Sequence, residues 1–184
     1  MDGQDFKLFR WLRPVAWLYG AGVRLRNKLF DWGWLRSESF GLPVICVGNL
    51  AVGGTGKTPH TEYLVRLLRS QRLNVATLSR GYRRKTTGYV LADVQSSATS
   101  IGDEPRQMKS KFPEVRVAVD EDRCHGIREL MKLDRPQVDV VLLDDAFQHR
   151  RVKAGLNILL TDCRRLLTDD DLLPVGRLRE PAEG

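Results

Sequence analysis

Cysteine is scarce in this sequence and no long apolar segment occurs, and each absence excludes a class of protein. The cysteines are Cys46, Cys124 and Cys163, in a chain of 184 residues. Their wide spacing argues against a disulfide framework and against a zinc site, and it favours reduced thiols in a cytosolic protein. No apolar run reaches the roughly 18 residues of a membrane-spanning helix. The first residues also lack the short apolar region and cleavage site of a secretory signal, so neither feature is expected.

Basic residues outnumber acidic ones, which gives a formal net charge of +7. Such a charge favours an anionic partner, which could be nucleic acid, an anionic membrane surface or a phosphorylated substrate. Nucleic acid fits poorly, because the basic stretch Ser79–Lys85 contains a single aromatic residue, Tyr82, and not a series of them. We therefore expect no nucleic-acid partner.

Aromatic residues are concentrated at the start of the chain, and this contrast divides the sequence into residues 1–41 and residues 42–184. The first region contains all four tryptophans together with several Arg and Lys residues. A helical interpretation of Phe6 to Trp34 predicts amphipathic helices that lie in a membrane interface. The alternative is that these helices pack on the core or bury a dimer face.

Residues 42–184 alternate short aliphatic runs with helical patterns, which predicts an α/β fold with a parallel sheet flanked by helices. The predicted strands are Val44–Val47, Val75–Leu78, Tyr89–Leu91, Val115–Val119, Val138–Leu143 and Leu156–Leu160. The predicted helices are Thr61–Gln71, Asp103–Phe112 and Arg123–Leu133. Tyr63, Leu64, Leu67 and Leu68 are expected to form the apolar face of the first of these helices. Ser96–Ser100 is interpreted as a polar loop.

A glycine-rich loop follows the first predicted strand. Ala51–Thr58 matches the phosphate-loop pattern GxxxxGK[ST], except that Ala51 replaces the first Gly. Such a loop points backbone N–H groups at phosphate oxygens, and the residues expected to bind nucleotide are Gly53, Gly54, Thr55, Gly56, Lys57 and Thr58. Lys57 would contact the β- and γ-phosphates, and the Thr58 hydroxyl would coordinate Mg²⁺. The alternative is a Gly-rich turn that happens to contain a lysine.

Two adjacent acids, Asp144 and Asp145, end the apolar strand Val138–Leu143. A carboxylate at the end of a strand beside a phosphate loop is the expected Mg²⁺ ligand, and Asp144 is assigned that role. Asp145 is assigned a supporting or substrate contact, and His149 could contact phosphate or substrate. Solvated acids at a strand end are the alternative.

Asp103, in Gly102-Asp103-Glu104-Pro105, could accept a proton from an attacking hydroxyl. It could equally cap a helix that has Pro105 in its first turn. The basic stretch Ser79–Lys85 and Arg123 could hold an anionic substrate, or they could be solvated.

Taken together, these motifs resemble those of the tetraacyldisaccharide 4'-kinases of lipid A biosynthesis. The resemblance extends over nearly the whole chain and rests on Val47–Leu50, Val52–Pro59, Ser79–Tyr82, Gly102–Pro105, Asp144–Arg150 and Gly176–Pro181. It departs mildly at Ala146, where the family often has Gly.

The resemblance implies an ATP- and Mg²⁺-dependent lipid kinase at the cytoplasmic face of the inner membrane. Its reaction would transfer the γ-phosphoryl group to the 4'-hydroxyl of a tetraacyldisaccharide 1-phosphate. The implied roles are catalytic base for Asp103, phosphate and Mg²⁺ binding for Lys57, Thr58 and Asp144, and shaping of the phosphate and sugar sites for Arg123, His149 and Arg179. Family members continue into a second lobe that supplies a histidine partner for the base, so this chain is expected to lack that lobe.

Two other functions stay open at this stage. A nucleotide-switch ATPase of the same fold would hydrolyse ATP without a lipid acceptor and bind a protein partner. A membrane-binding fragment without activity would associate with liposomes and turn over nothing.

Overall fold

A computed structural model of the chain describes residues 10–52, 56–163, 166–167 and 170–181. A short 3-10 helix (Arg10–Leu12) leads into helix α1 (Arg13–Asp31). The remaining helices are α2 (Lys57–Ser70), α3 (Ala98–Ile101), α4 (Asp103–Lys111) and α5 (Arg123–Met131). The strands are β1 (Val44–Gly48), β2 (Val75–Ser79), β3 (Val90–Leu91), β4 (Arg116–Val119), β5 (Val140–Asp144) and β6 (Leu156–Leu159).

The strands form a six-stranded sheet in the order β3-β4-β2-β5-β1-β6. β5 pairs in parallel with both β1 and β2, and β2 pairs in parallel with β4. Only the short β3 is antiparallel to its neighbour β4 among the pairings described. The central strand β5 is buried along its whole length, as expected for a parallel strand covered on both faces. The predicted α/β fold with a parallel sheet and flanking helices is confirmed.

The chain divides into two compact units. One consists of residues 37–48 and 56–158 and contains most of the sheet with α2–α5. The other consists of residues 1–36, 49–55 and 159–184 and contains α1. The division at residue 41 that the composition indicates remains a prediction.

The helix that follows the glycine-rich loop buries a different face from the one predicted. α2 starts at Lys57, directly after the loop, and its buried residues are Thr61, Glu62 and Val65. The predicted apolar face is wrong in part, because Tyr63 is 61% exposed and Leu67 is 44% exposed.

Residues 96–100 are partly helical rather than a polar loop. Ser97 caps α3, accepting a hydrogen bond from the Ser100 N–H, and the Ser100 hydroxyl completes a reciprocal capping box. Serines three residues apart, here Ser97 and Ser100, are a helix-start signal that the polar composition of the segment does not indicate.

In the unit that contains it, α1 packs through its small residues. Ala16 and Gly20 are its buried positions, and a Cβ added at Gly20 would lie 2.6 Å from Leu172 Cδ1. The Tyr19 hydroxyl donates to the Arg179 carbonyl at 2.8 Å, and Arg26 pairs with Glu180 at 3.4 Å. The predicted helix start at Phe6 lies outside the described residues. No described helix combines the length and apolar character needed to cross a membrane.

Candidate active site

Strands β1 and β5 lie side by side and end at the same edge of the sheet. Val47 pairs with Asp144 at that edge, so the loop after β1 and the acids after β5 start from neighbouring positions. A Cβ on Gly48 would lie 2.8 Å from Phe147 Cβ, so the segment after β5 crosses directly over the end of β1. Ligands of parallel α/β sheets bind at this edge. Gly53, Gly54 and Thr55 lie outside the described residues.

Lys57 occupies the first position of α2 and pairs with Asp145. Gly56, which precedes it, has the left-handed φ of 73° at the N-cap, a conformation that glycine adopts without steric cost. Lys57 Nζ lies 3.7 Å from Asp145 Oδ1. Thr58 follows on the first turn of the same helix. The positive end of α2 and the Lys57 ammonium therefore meet at the β1–β5 edge.

Asp144 is buried, and its carboxylate accepts a hydrogen bond from Thr61 Oγ1 at 3.4 Å. Burial is the main cause that raises its pKa to about 6, and the charges of Glu104 and Asp145 raise it further. The Lys57 charge and the Thr61 hydrogen bond act in the opposite direction. This carboxylate sits in an acidic environment with little water, where a bound cation would restore the charged form.

Asp103 is the first residue of α4 and is exposed. The N-cap is Gly102, and no side chain caps this helix, so the capping interpretation of Asp103 is wrong. Gly102 has φ 93°, and a Cβ there would lie 2.9 Å from the Tyr82 carbonyl oxygen. The Gly102–Pro105 loop is thus held directly against the Ser79–Tyr82 loop.

Arg123 begins α5 and its side chain is buried. Nη1 donates to the Asp120 carbonyl at 2.7 Å. Desolvation is the main cause that lowers the pKa of Arg123, the charge of Arg80 lowers it further, and the charge of Asp145 raises it. Arg123 therefore lies within electrostatic reach of both Arg80 and Asp145.

His149 and Arg179 have different surroundings. His149 is half-buried in the turn after β5, where its N–H donates to the Ala146 carbonyl at 2.9 Å. Arg179 belongs to the unit that contains α1, and its N–H donates to the Leu50 carbonyl at 2.7 Å. The segment around Leu178 pairs antiparallel with Ala51, beside the first half of the phosphate loop.

A family model described as tetraacyldisaccharide-1-P 4'-kinase matches residues 8–184 of the chain. The chain belongs to this kinase family. The family resemblance of the motifs is therefore confirmed.

Relatives named tetraacyldisaccharide 4'-kinase match the whole chain. The protein of Bacteroides fragilis is 65% identical over 100% of this chain and 49% of its own length. That of Bacteroides thetaiotaomicron is 66% identical over 100% of this chain and 48% of its own length. The chain thus spans about half the length of these relatives.

A solved structure of the family has the same fold. It is the "apo" form of LpxK from Aquifex aeolicus in complex with ATP, with a TM-score of 0.84 and 42% sequence identity. The match covers 94% of this chain and 54% of that chain.

Two contacts of this kinase-family site were not assigned from the sequence. Thr61 was given no role, although a polar residue one helical turn after Lys57 must face the same side as Lys57. Glu104 was seen only as part of the Gly102–Pro105 motif, yet its charge acts on Asp144. Within the described residues, no three His, Cys, Asp or Glu side chains form a ready-made metal cluster.

Proposed function

We propose that the chain is the nucleotide-binding part of a lipid kinase. Its reaction transfers the γ-phosphoryl group of ATP to the 4'-hydroxyl of a tetraacyldisaccharide 1-phosphate. The observation that carries the proposal is the pairing of Lys57 with Asp145 beside the buried Asp144, at the ends of β1 and β5. Family membership and the ATP named in the Aquifex aeolicus structure support the same assignment.

The nucleotide would bind where the phosphate loop meets α2. Lys57 would exchange Asp145 for phosphate oxygens, because an ammonium gains more from the larger negative charge. Gly53, Gly54, Thr55 and Gly56 would supply backbone N–H groups to the same phosphates. Charge that develops on the γ-phosphoryl group would then be offset by groups fixed in place before reaction.

The residues at this edge fit magnesium. Their donors are a carboxylate of Asp144 and a hydroxyl of Thr58, both oxygen ligands of the kind Mg²⁺ takes. Burial and the neighbouring acids raise the pKa of Asp144, so a cation bound beside it would stabilise its charged form. Asp144 and Thr58 would hold the ion, with Asp145 beside them, and the bound ion would offset charge on the phosphates.

Asp103 would accept the proton of the acceptor hydroxyl. Its exposed carboxylate stands at the start of α4, next to Glu104, whose charge reaches Asp144. It holds no capping hydrogen bond of its own helix, so its oxygens are not committed to that role. A positioned proton acceptor contributes about 10²- to 10⁴-fold to transfer.

Arg123, His149 and Arg179 would contact the phosphates or the sugar. Arg123 is the best supported, because its buried guanidinium lies within reach of the charge of Asp145. His149 lies four residues after Asp145, in the segment that follows β5. The Arg179 N–H donates to the carbonyl of Leu50, the residue before the phosphate loop.

The lipid acceptor and the membrane would meet the unit that contains α1. Trp11, Leu18 and Leu25 recur at seven-residue intervals and are 74%, 64% and 56% exposed. Exposed Arg24 and Lys28 lie on the same helix, a composition suited to an anionic membrane interface. A cavity of about 570 Å³ in this unit is lined by Arg13, Trp17 and Leu172 among others, and also by Asp170 and Asp171, so it offers apolar contacts and charges of both signs. We propose peripheral association with the cytoplasmic face of the inner membrane.

The test of this proposal is transfer to the lipid acceptor, with Asp103→Asn and Asp103→Ala compared in a kinase of full family length. Asp103→Asn should reduce transfer from ATP by about 10²- to 10⁴-fold while ATP binding persists. Both variants should keep near-parent unfolding temperatures, since Asp103 forms no cap hydrogen bond.

If Asp103→Asn transferred the phosphoryl group to the lipid at the rate of the parent, Asp103 would not be the proton acceptor. ATP hydrolysis that proceeds equally well without the lipid acceptor would instead support a nucleotide switch.

A further inference from the structure

Arg123 is a buried cation whose hydrogen bonds are incomplete. It is only 2% exposed, and Nη1 donates to the carbonyls of Asp120 and Glu121 at 2.7 and 3.3 Å. Nε is buried and has no hydrogen-bond partner within the described part of the chain. The charge of Arg123 acts on that of Asp145, which pairs with Lys57, and a buried guanidinium with an unused donor in such a place is suited to a phosphate oxygen. Whether the Arg123 guanidinium can meet a phosphate oxygen depends on how firmly the turn before α5 holds this side chain.

Asp120 is the residue that fixes this turn. Its buried carboxylate accepts from the Asp122 N–H through Oδ1 at 3.0 Å. Its Oδ2 lies 2.7 Å from His125 Nδ1. Its own N–H donates to the Ser79 carbonyl at the end of β2 at 3.0 Å. The carbonyl that Arg123 uses belongs to this same residue, so the orientation of Asp120 is transmitted to the guanidinium.

His125 in turn fixes Asp120. An ionised carboxylate only accepts hydrogen bonds, so Nδ1 of His125 carries the proton in this contact. The Tyr89 ring stands edge-on to the imidazole, with ring centres 6.4 Å apart. On the other side, His125 Nε2 lies 3.6 Å from Glu129 Oε1, on the following turn of α5.

We infer that Asp120 and His125 are positioning residues that hold Arg123 for the phosphates of ATP. The His125 imidazole contacts the Asp120 carboxylate, and this carboxylate fixes the turn before α5. The Asp120 carbonyl in that turn accepts from the Arg123 guanidinium. The inference rests on the proposed function, since it takes ATP as the ligand of Arg123. His125 itself touches no reacting atom in this assignment.

The variants His125→Ala and His125→Asn separate positioning from general structure. The Asn side-chain N–H₂ occupies the place of Nδ1 and can still donate to Asp120, whereas Ala cannot. Glu129→Gln is the matched control, because it alters the other contact of the imidazole and leaves the Asp120 contact intact. Unfolding temperatures of all variants show which of them are folded.

The first readout is ATP affinity in the presence of Mg²⁺, measured by calorimetry. His125→Ala should weaken binding by about tenfold, the usual effect of a lost charge-assisted hydrogen bond, and His125→Asn should restore most of it. In an Arg123→Ala background, His125→Ala should have little further effect, because its action passes through Arg123. Equal losses from His125→Ala with and without Arg123 would overturn the inference.

The second readout does not depend on nucleotide. Phenylglyoxal modifies accessible arginines, and peptide mapping reports the modification of Arg123. We expect protection of Arg123 in the parent, in His125→Asn and in Glu129→Gln, and faster modification in folded His125→Ala. Unchanged protection in His125→Ala would overturn the inference. A parent chain that binds no ATP would count against the proposed function, and the modification pattern would still decide whether His125 positions Arg123.

Discussion

At the scale of single residues, two adjacent aspartates have clearly different environments. Asp144 is the last residue of β5 and is buried against Thr61. Asp145 takes a left-handed φ of 51° and leaves the sheet, which brings its half-exposed carboxylate to Lys57. The change of backbone conformation between them separates a buried carboxylate suited to a cation from a more accessible one that pairs with the lysine.

The buried carboxylate should cost stability in the nucleotide-free chain. The pKa of Asp144 is raised from 3.8 to about 6 in the folded state, so the folded state binds the proton more tightly than the unfolded state. Stability therefore falls as pH rises from about 4 to about 6, by roughly 3 kcal/mol for a shift of this size. Asp144→Asn should raise the free energy of unfolding at pH 8 by up to this amount. Urea unfolding without nucleotide or magnesium measures it.

The gain in stability should shrink as the pH is lowered through 6 and be mostly lost near pH 4. Asp145→Asn is the control, since its carboxylate is half-exposed and paired with Lys57, and it should bring no comparable gain in stability at pH 8. Asp144→Asn that is equally or less stable than the parent at pH 8 would contradict the assigned environment.

At the scale of elements, the loops after β2 and before α4 are held against each other through two glycines. A Cβ on Gly81 would lie 2.8 Å from the Ile101 carbonyl oxygen, and one on Gly102 would lie 2.9 Å from the Tyr82 carbonyl oxygen. The Lys85 N–H donates to the Thr99 carbonyl at 2.8 Å and reinforces the contact. Asp103 follows Gly102 directly, so this packing sets the position of the proposed base.

Gly102→Ala should therefore be costly, and Gly88→Ala provides its control. Both glycines have positive φ, 93° and 72°, but nothing lies within 4 Å of a Cβ on Gly88. Gly88→Ala should cost about 1–2 kcal/mol from backbone strain alone. Gly102→Ala should cost more, because its φ of 93° and ψ of 162° fall in a region that essentially only glycine adopts and a backbone clash adds to that strain. It should also reduce transfer in a full-length kinase. Urea unfolding compares the two, and equal costs would mean that the loops can separate freely.

The sequence predicts the strands and the phosphate loop because each depends on local pattern. Val140–Leu143 has the continuous apolar character of a buried parallel strand, and Gly56-Lys57-Thr58 has the pattern of a phosphate loop at the start of a helix. The contact of Thr61 with Asp144 and that of His125 with Asp120 could not be read in this way. The first joins a side chain of α2 to the end of β5, which is distant in the sequence, and the second joins a side chain of α5 to the turn before that helix.

At the scale of the whole molecule, exposed aromatic residues and positive charge coincide in α1 and the 3-10 helix before it. We expect the chain to associate with vesicles that contain anionic lipid, and the association to weaken as salt screens the charges. Replacing Trp11 and Leu18 by Ser should reduce pelleting with such vesicles. Replacing Tyr82, an equally exposed aromatic outside this region, should not. Equal pelleting of both variants and the parent would assign α1 a packing role instead.

The proposed function depends most on a nucleotide site built from Lys57 and the acids at the end of β5. Calorimetric titration of the chain with ATP and Mg²⁺ tests this directly, with Lys57→Ala beside the exposed control Lys153→Ala. We expect the parent and Lys153→Ala to bind ATP alike, and Lys57→Ala to bind about a hundredfold more weakly, since it loses the cation proposed to contact the phosphates. ATP binding by Lys57→Ala with the affinity of the parent would contradict it.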